Sequence, residues 1–248
     1  MSAPGSVWQR RDVAESFLEH RRRVLPLLDM QEDLIVRLLA RGRRELIRFL
    51  DLGSGDGAIS ELLLGASPQA QAVLFDLSAP MLERAGVRLE RFGGRWQALR
   101  GDLGGEHWAG ALPAGRYDAV VSSFAIHHLA AAQKRSLFAD VLELLEPGGM
   151  FLNMDIVTVA GPLQGLFEEQ MAANHLRAQR EQGDARSDTE IEHELHAGFD
   201  SDDEDQPDSA DQQVSWLADA GFENPEIHFK WGEAAIYGAT KPASTGEN

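Results

Sequence analysis

The chain contains no cysteine. Disulfides, thiolate catalysis and cysteine-held zinc are therefore excluded. No apolar run approaches the roughly 20 residues that span a bilayer. The opening segment MSAPGSVWQRRDVAESF has no apolar stretch of the kind a secretory signal carries, so none is expected. Positive charge is also scarce: 23 Lys and Arg stand against 40 Asp and Glu, a formal net charge of -17. A surface of that sign repels nucleic acid at long range and disfavours it as a partner. No internal repeat is present. These absences lead to the expectation of a cytoplasmic protein with no membrane span, monomeric or homodimeric, acting on something small.

The acidity is concentrated. Residues 1–50 carry ten Arg against seven Asp or Glu, whereas residues 181–211 carry thirteen Asp or Glu against one Arg. With 248 residues and 43% apolar content, the chain can bury one large α/β core, alone or with a small lid.

From Phe49 onward, short apolar runs alternate with turns and helical periodicity. The strand candidates are Arg48–Leu52, Ala72–Leu77, Trp96–Leu103, Tyr117–Phe124 and Met150–Val157. Helix candidates between them are Ala58–Leu64, Ala79–Phe92, Glu106–Ala111 and Ala130–Leu145. Alternation of this kind reads as βαβ units, hence a parallel sheet with helices on both faces. The strands are nearly continuous apolar runs, as strands covered on both faces are.

Two helices are expected ahead of this core, over Asp12–Leu25 and Gln31–Arg41, parted by Pro26. Behind it, Gly161 and Pro162 mark a break, followed by a polar helix over Leu163–Arg180. The stretch FDSDDEDQPDSAD, Phe199 to Asp211, is too charged and too poor in apolar residues to pack, and reads as a mobile loop. A helix over Gln212–Ala220, stopped by Gly221, leads to strands at Glu226–Trp231 and Ala234–Thr240. Gly232 and Glu233 between them suit an antiparallel hairpin. The expected organisation is a helical cap over residues 1–44, a core over 45–160, an acidic insert or lid over 161–211, a closing helix and hairpin over 212–241 and a tail over 242–248.

Two motifs carry chemistry. In FLDLGSGDGAIS, Phe49 to Ser60, a buried strand ends at Asp51 and Gly53, Gly55 and Gly57 turn the chain into a helix. Glycines there permit positive φ and let a ligand approach the backbone. The turn lies at the carboxyl end of a strand, where open α/β sheets bind ligands. Its spacing is G-x-G-x-G and not the G-x-G-x-x-G of dinucleotide folds. In VLFDLSAPML, Val73 to Leu82, Asp76 ends the second strand 19 residues after Gly57, where an acid can accept hydrogen bonds from ribose hydroxyls. An N-cap is its alternative role, although Ser78 suits that better.

Together these residues resemble the class I S-adenosylmethionine-dependent methyltransferase family. RGDL (Arg100 to Leu103), YDAVVSSFAIHHL (Tyr117 to Leu129), LEPGGMFLNMD (Leu145 to Asp155) and WLADAGFENPEIHFKWGEAAIYGATK (Trp216 to Lys241) are similar to its later motifs, in order and at matching spacing. The resemblance implies a doubly wound, Rossmann-like α/β fold: a seven-stranded sheet, its last strand antiparallel, with N-terminal helices and a helical insert as lid. It implies S-adenosyl-L-methionine as cofactor. Asp51, Gly53 and Gly55 would serve its methionine end, Asp51 by compensating the ammonium or by fixing the turn. Asp76 would hold the ribose, Asp102 the adenine amino group, and Met81 and Leu103 the two adenine faces. Met81 reads equally as a core residue of its helix. Ser123 and Phe124 would offer backbone contacts near the methionine part.

The expected reaction is methyl transfer to an O, N or C atom of a small-molecule acceptor, by in-line displacement and mainly by positioning. His127 and His128 lie just past the fourth strand and are the candidate bases for an acceptor that must lose a proton. Phe17, His20, Met154, Phe167, Met171 and His175 are candidate liners of the acceptor pocket. His193 and His196 stand among Glu190, Glu192 and Glu194, but HELH is not H-E-x-x-H and the segment reads as solvated, so no metal site is expected. The Arg21–Arg23 and Arg41–Arg44 clusters read as solvated helix faces or as partners of the acidic insert. Competing readings are a nucleotide-dependent oxidoreductase, a non-catalytic cofactor-binding module, and a tRNA-modifying relative, since the insert and hairpin resemble those of wobble-uridine modifying enzymes.

Overall fold

The structure, a computed structural model, describes residues 25–42, 45–105, 107–191 and 205–243. The first expected helix, but for its last residue, lies outside them, as do Phe17, His20, Arg21–Arg23, His193 and His196.

In chain order the elements are α1 (Leu28–Ala40), β1 (Arg48–Leu52), α2 (Ala58–Ala66), β2 (Gln71–Asp76), α3 (Ala79–Leu89), β3 (Trp96–Arg100), β4 (Tyr117–Ser123), α4 (Ala131–Leu144), β5 (Leu145–Ile156), α5 (Leu166–Glu181), α6 (Ala210–Ala220), β6 (Glu223–Trp231) and β7 (Ala234–Thr240). The seven strands form one sheet in the order β3-β2-β1-β4-β5-β7-β6. Strands β1 to β5 pair in parallel, while β7 runs antiparallel to both β5 and β6. The doubly wound sheet and its antiparallel β7 are as the sequence implies.

Successive residues of the inner strands feed opposite faces, as a pleated strand requires. Phe49, Ala72, Leu74, Ala119 and Val121 join one core with α1, α2, α3 and α5, including Ile35, Leu63, Leu89 and Phe167. Leu50, Val73, Phe75, Val120 and Phe151 join the other core with α4 and α6, including Phe138, Val141, Trp216 and Leu217. Two covered faces account for the unbroken apolar runs. No helix among the described residues is long and apolar enough to cross a membrane.

Four expectations are corrected. The helix expected over Glu106–Ala111 is a short 3-10 turn at Trp108–Ala111, with buried Trp108 donating to Asp140 at 2.9 Å. The third strand stops at Arg100, because Asp102 folds back to accept from the Gly104 amide at 2.8 Å and turns the chain. The fifth strand starts earlier, at Leu145, with Glu146–Gly149 bulging between the Tyr117–Leu145 and Ala119–Met150 pairings. The acidic stretch is not loose throughout: Asp208 pairs with Lys134 at 2.7 Å and the Gln206 amide donates to the His127 carbonyl at 2.9 Å. Charge that looked unable to pack finds a buried cation on α4, which no local pattern announces.

Candidate cofactor and acceptor site

The strand order reverses between β1 and β4, and the crevice at their carboxyl ends is where sheets of this kind take ligands. Asp51 in β1, Asp76 closing β2, Ser123 closing β4 and Asp155 near the end of β5 all reach this edge.

The turn after β1 is shaped for close approach. Gly53 and Gly55 hold φ of 61° and 53°. A Cβ on Gly53 would lie 2.1 Å from that of Ala125, whereas one on Gly55 would meet nothing within 4 Å. The first glycine lets two loops touch, and the second leaves open room over the backbone. Asp76 accepts from the Gly55 amide at 2.8 Å and from the Ser78 amide at 2.7 Å, so its carboxylate is anchored above the turn. Burial pushes the Asp76 carboxyl above the usual range, and those amides together with the nearby His128 pull part of it back. Ser78 is the N-cap of α3, through the Met81 amide at 3.3 Å, which frees Asp76 from that role. The room at Gly55 and the anchored acid fit a nucleoside with vicinal hydroxyls.

Asp51 is buried and its Oδ2 accepts from Ser60 of α2 at 2.6 Å, a bond that ties the strand end to the helix after the turn. Met81 is buried yet belongs to neither apolar core. Leu103 reaches within 3.9 Å of where a Gly53 side chain would begin. Asp102 is exposed beside it. Phe124 follows β4 with a positive φ of 52°, held by the hydrogen bond its amide N–H donates to the Met154 carbonyl at 2.8 Å.

A second cluster at this edge centres on His127. Its Nδ1 lies 2.5 Å from Asp155 Oδ1, and its amide donates to Asp155 Oδ2 at 3.0 Å. Asn153 donates to the same carboxylate at 3.1 Å and to the Tyr237 hydroxyl at 2.7 Å, and Tyr237 in turn donates to Gln213. Burial opposes the Asp155 charge, but His127 and the hydrogen bonds from Asn153 and the Ile156 amide hold its carboxyl below the usual range. With Nδ1 engaged, Nε2 of His127 points to Asp205, 3.6 Å away; Nδ1 of His128 is 2.6 Å from the same oxygen.

The structure thus gathers Asp51, Gly53, Gly55, Asp76, Leu103, Phe124, His127 and His128 along one edge. Among the expected pocket liners, Met154, Phe167 and Met171 belong to an apolar core, and His175 is buried on α5. Asp155, Asn153, Tyr237, Asp205, Asp208 and Lys134 were missed. Asp155 had a signal, an acid near the end of a strand like Asp51 and Asp76. Lys134 and Asp208 stand 74 residues apart and had none.

Residues 49–149 match the family profile of a methyltransferase domain. An uncharacterized methyltransferase of Mycobacterium bovis is 35% identical over 109 residues, 44% of this chain and 50% of that protein. The chain therefore spans about half the length of that relative. The carboxy-S-adenosyl-L-methionine synthase of Helicobacter hepaticus is 23% identical over 224 residues, 89% of this chain and 85% of that protein. An O-methyltransferase family 2 protein of Planctomyces limnophilus, solved with apigenin, superposes with a TM-score of 0.64 at 19% identity, over 97% of this chain and 62% of that one. At that identity the likeness is one of fold.

Proposed function

We propose, for a chain whose α/β core belongs to the class I S-adenosylmethionine-dependent methyltransferase family, that it transfers a methyl group from S-adenosyl-L-methionine to a small-molecule acceptor. The observation that carries this reading is the Asp76 carboxylate, anchored 2.8 Å from the Gly55 amide over a turn that leaves space above it. When bound, the cofactor supplies an electrophilic methyl on a sulfonium with a neutral leaving group.

Asp76 would hold the ribose hydroxyls, Met81 and Leu103 the adenine faces, Asp102 the adenine amino group, and Gly53, Gly55, Ser123 and Phe124 the methionine end. The carboxylates of Asp51, Asp76, Asp155 and Asp205 at this edge give a field that suits a cation. The chain's work is chiefly to position the reactants and exclude water. Where the acceptor must lose a proton, the His127–His128 pair is the place for it. Apigenin on the Planctomyces protein supports a small organic acceptor.

A second reading has one observation in its favour: a relative that aligns over 89% of this chain is the Helicobacter synthase, whose name describes a modified S-adenosylmethionine. On that reading the cofactor is itself the substrate.

The test is calorimetric titration with S-adenosylmethionine and S-adenosylhomocysteine, repeated on Asp76→Asn, which keeps the side-chain shape. Saturable binding that the variant loses supports the site. A folded wild type that binds neither ligand overturns it. Mass analysis of the recovered cofactor after incubation with candidate acids separates the two readings.

A further inference from the structure

We propose that His127, His128 and Asp205 bind one late first-row divalent metal ion, of the Zn2+ or Fe2+ kind, facing the acceptor side of the crevice. The inference goes beyond the methyl-transfer reading and stands or falls separately from it.

Three ligand atoms converge. Nε2 of His127 and Nδ1 of His128 lie 3.6 and 2.6 Å from Asp205 Oδ1, and all three lie within 4.8 Å of one another. An ion about 2.0–2.2 Å from each ligand needs them roughly 3–3.5 Å apart, so small side-chain shifts close the set. Asp205 Oδ1 is buried and close to both rings, yet it makes no hydrogen bond of good geometry. A simple ion pair with one histidine would align on that ring; this oxygen lies between two.

The surroundings support a ligand role. His127 is only 4% exposed. Its Nδ1 is engaged by Asp155 at 2.5 Å, and Asn153 steadies that carboxylate at 3.1 Å. A carboxylate on the far nitrogen of a metal-binding histidine fixes the ring and raises its basicity. The chain just after Asp205 is held in place: the Gln206 amide donates to the His127 carbonyl, and Lys134 binds Asp208. The side chains of His128 and Asp205 are 25% and 24% exposed, so one side of the cluster stays open for water or an acceptor oxygen. Two imidazoles and one carboxylate with open positions suit Fe2+ or Zn2+ better than Mg2+ or Ca2+, which prefer all-oxygen shells.

No local spacing announces this set, since His127 and His128 adjoin while Asp205 lies in the distant acidic stretch. A metal on Nε2 takes the lone pair that would otherwise accept a proton, and it acidifies a bound hydroxyl instead.

The test uses the full untagged chain, stripped with EDTA, dialysed and titrated with Co2+ by calorimetry and visible absorption. Asp205→Asn and His128→Gln are titrated alongside, each checked for fold by circular dichroism. One Co2+ per chain with a d–d band, weakened at least about 10-fold in a folded variant, is the expected result. No d–d band in the wild type, or binding that survives both substitutions, overturns the proposal. A parallel titration with S-adenosylhomocysteine keeps the two readings apart, since that binding depends on Asp76 and needs no Co2+.

Discussion

Nδ1 of His127 lies 2.5 Å from Oδ1 of Asp155, with both side chains buried. One ends in the loop after β4 and the other in β5, so the pair ties two neighbouring strand ends together and sets the direction of the imidazole.

Removing that carboxylate leaves a buried histidine without its main partner. Asp155→Ala is expected to cost about 3 kcal/mol, because breaking a buried pair strands the other group. Urea unfolding checks it: the midpoint falls while the slope stays unchanged. An unchanged midpoint would mean that the pair contributes nothing to the fold.

Gly53→Ala is expected to damage the site. Its Cβ would fall 2.1 Å from that of Ala125, and φ is already +61°. Backbone must move, and Ala125 stands two residues before His127. Gly65→Ala, in α2 with nothing within 4 Å of the new atom, is the matched control and should leave stability the same or about 0.4–1 kcal/mol higher. Titration with S-adenosylhomocysteine should show loss for the first and no change for the second. Equal affinity in both variants would remove the close-approach argument.

The two tyrosines should titrate only on unfolding. Burial pushes the Tyr117 hydroxyl up against the pull of Arg48. Burial, with Asp155 and Asp208 adding to it, pushes the Tyr237 hydroxyl well above its usual value despite the Asn153 hydrogen bond. A group that holds its proton more tightly when folded contributes stability below its unfolded value, near about 10, and that contribution is lost as pH rises through the folded value. Absorbance near the tyrosinate band should therefore stay flat past the ordinary titration and then rise together with loss of circular dichroism. A rise at the ordinary pH with the fold intact would contradict the burial of these hydroxyls.

Much of the cofactor side was legible. A strand ending in an acid, a glycine turn and a helix form within a dozen residues, so local chemistry sets Asp51, Gly53 and Gly55, and Asp76 closes the next strand by the same pattern. The N-cap assignment was equally local, since Ser78 needs only the amide three residues on. Met81 was not decidable from helix spacing, because a buried position on α3 faces either the apolar core or the crevice until the neighbouring strands are placed.

The cluster around His127 was decided elsewhere. Both histidines were visible as a pair, but nothing in their own stretch separates the inward ring from the outward one. Asp155 makes that choice from 28 residues away, and Asp205 and Lys134 complete it from the insert and from α4. By itself the sequence determined the order of strands and helices, the antiparallel hairpin and the cofactor turn, because periodicity and turn chemistry act between near neighbours. Only the tertiary structure decided which carboxylate meets which histidine, because those partners are distant in the chain and meet only when β4, β5 and the packed end of the acidic stretch share one edge of the sheet.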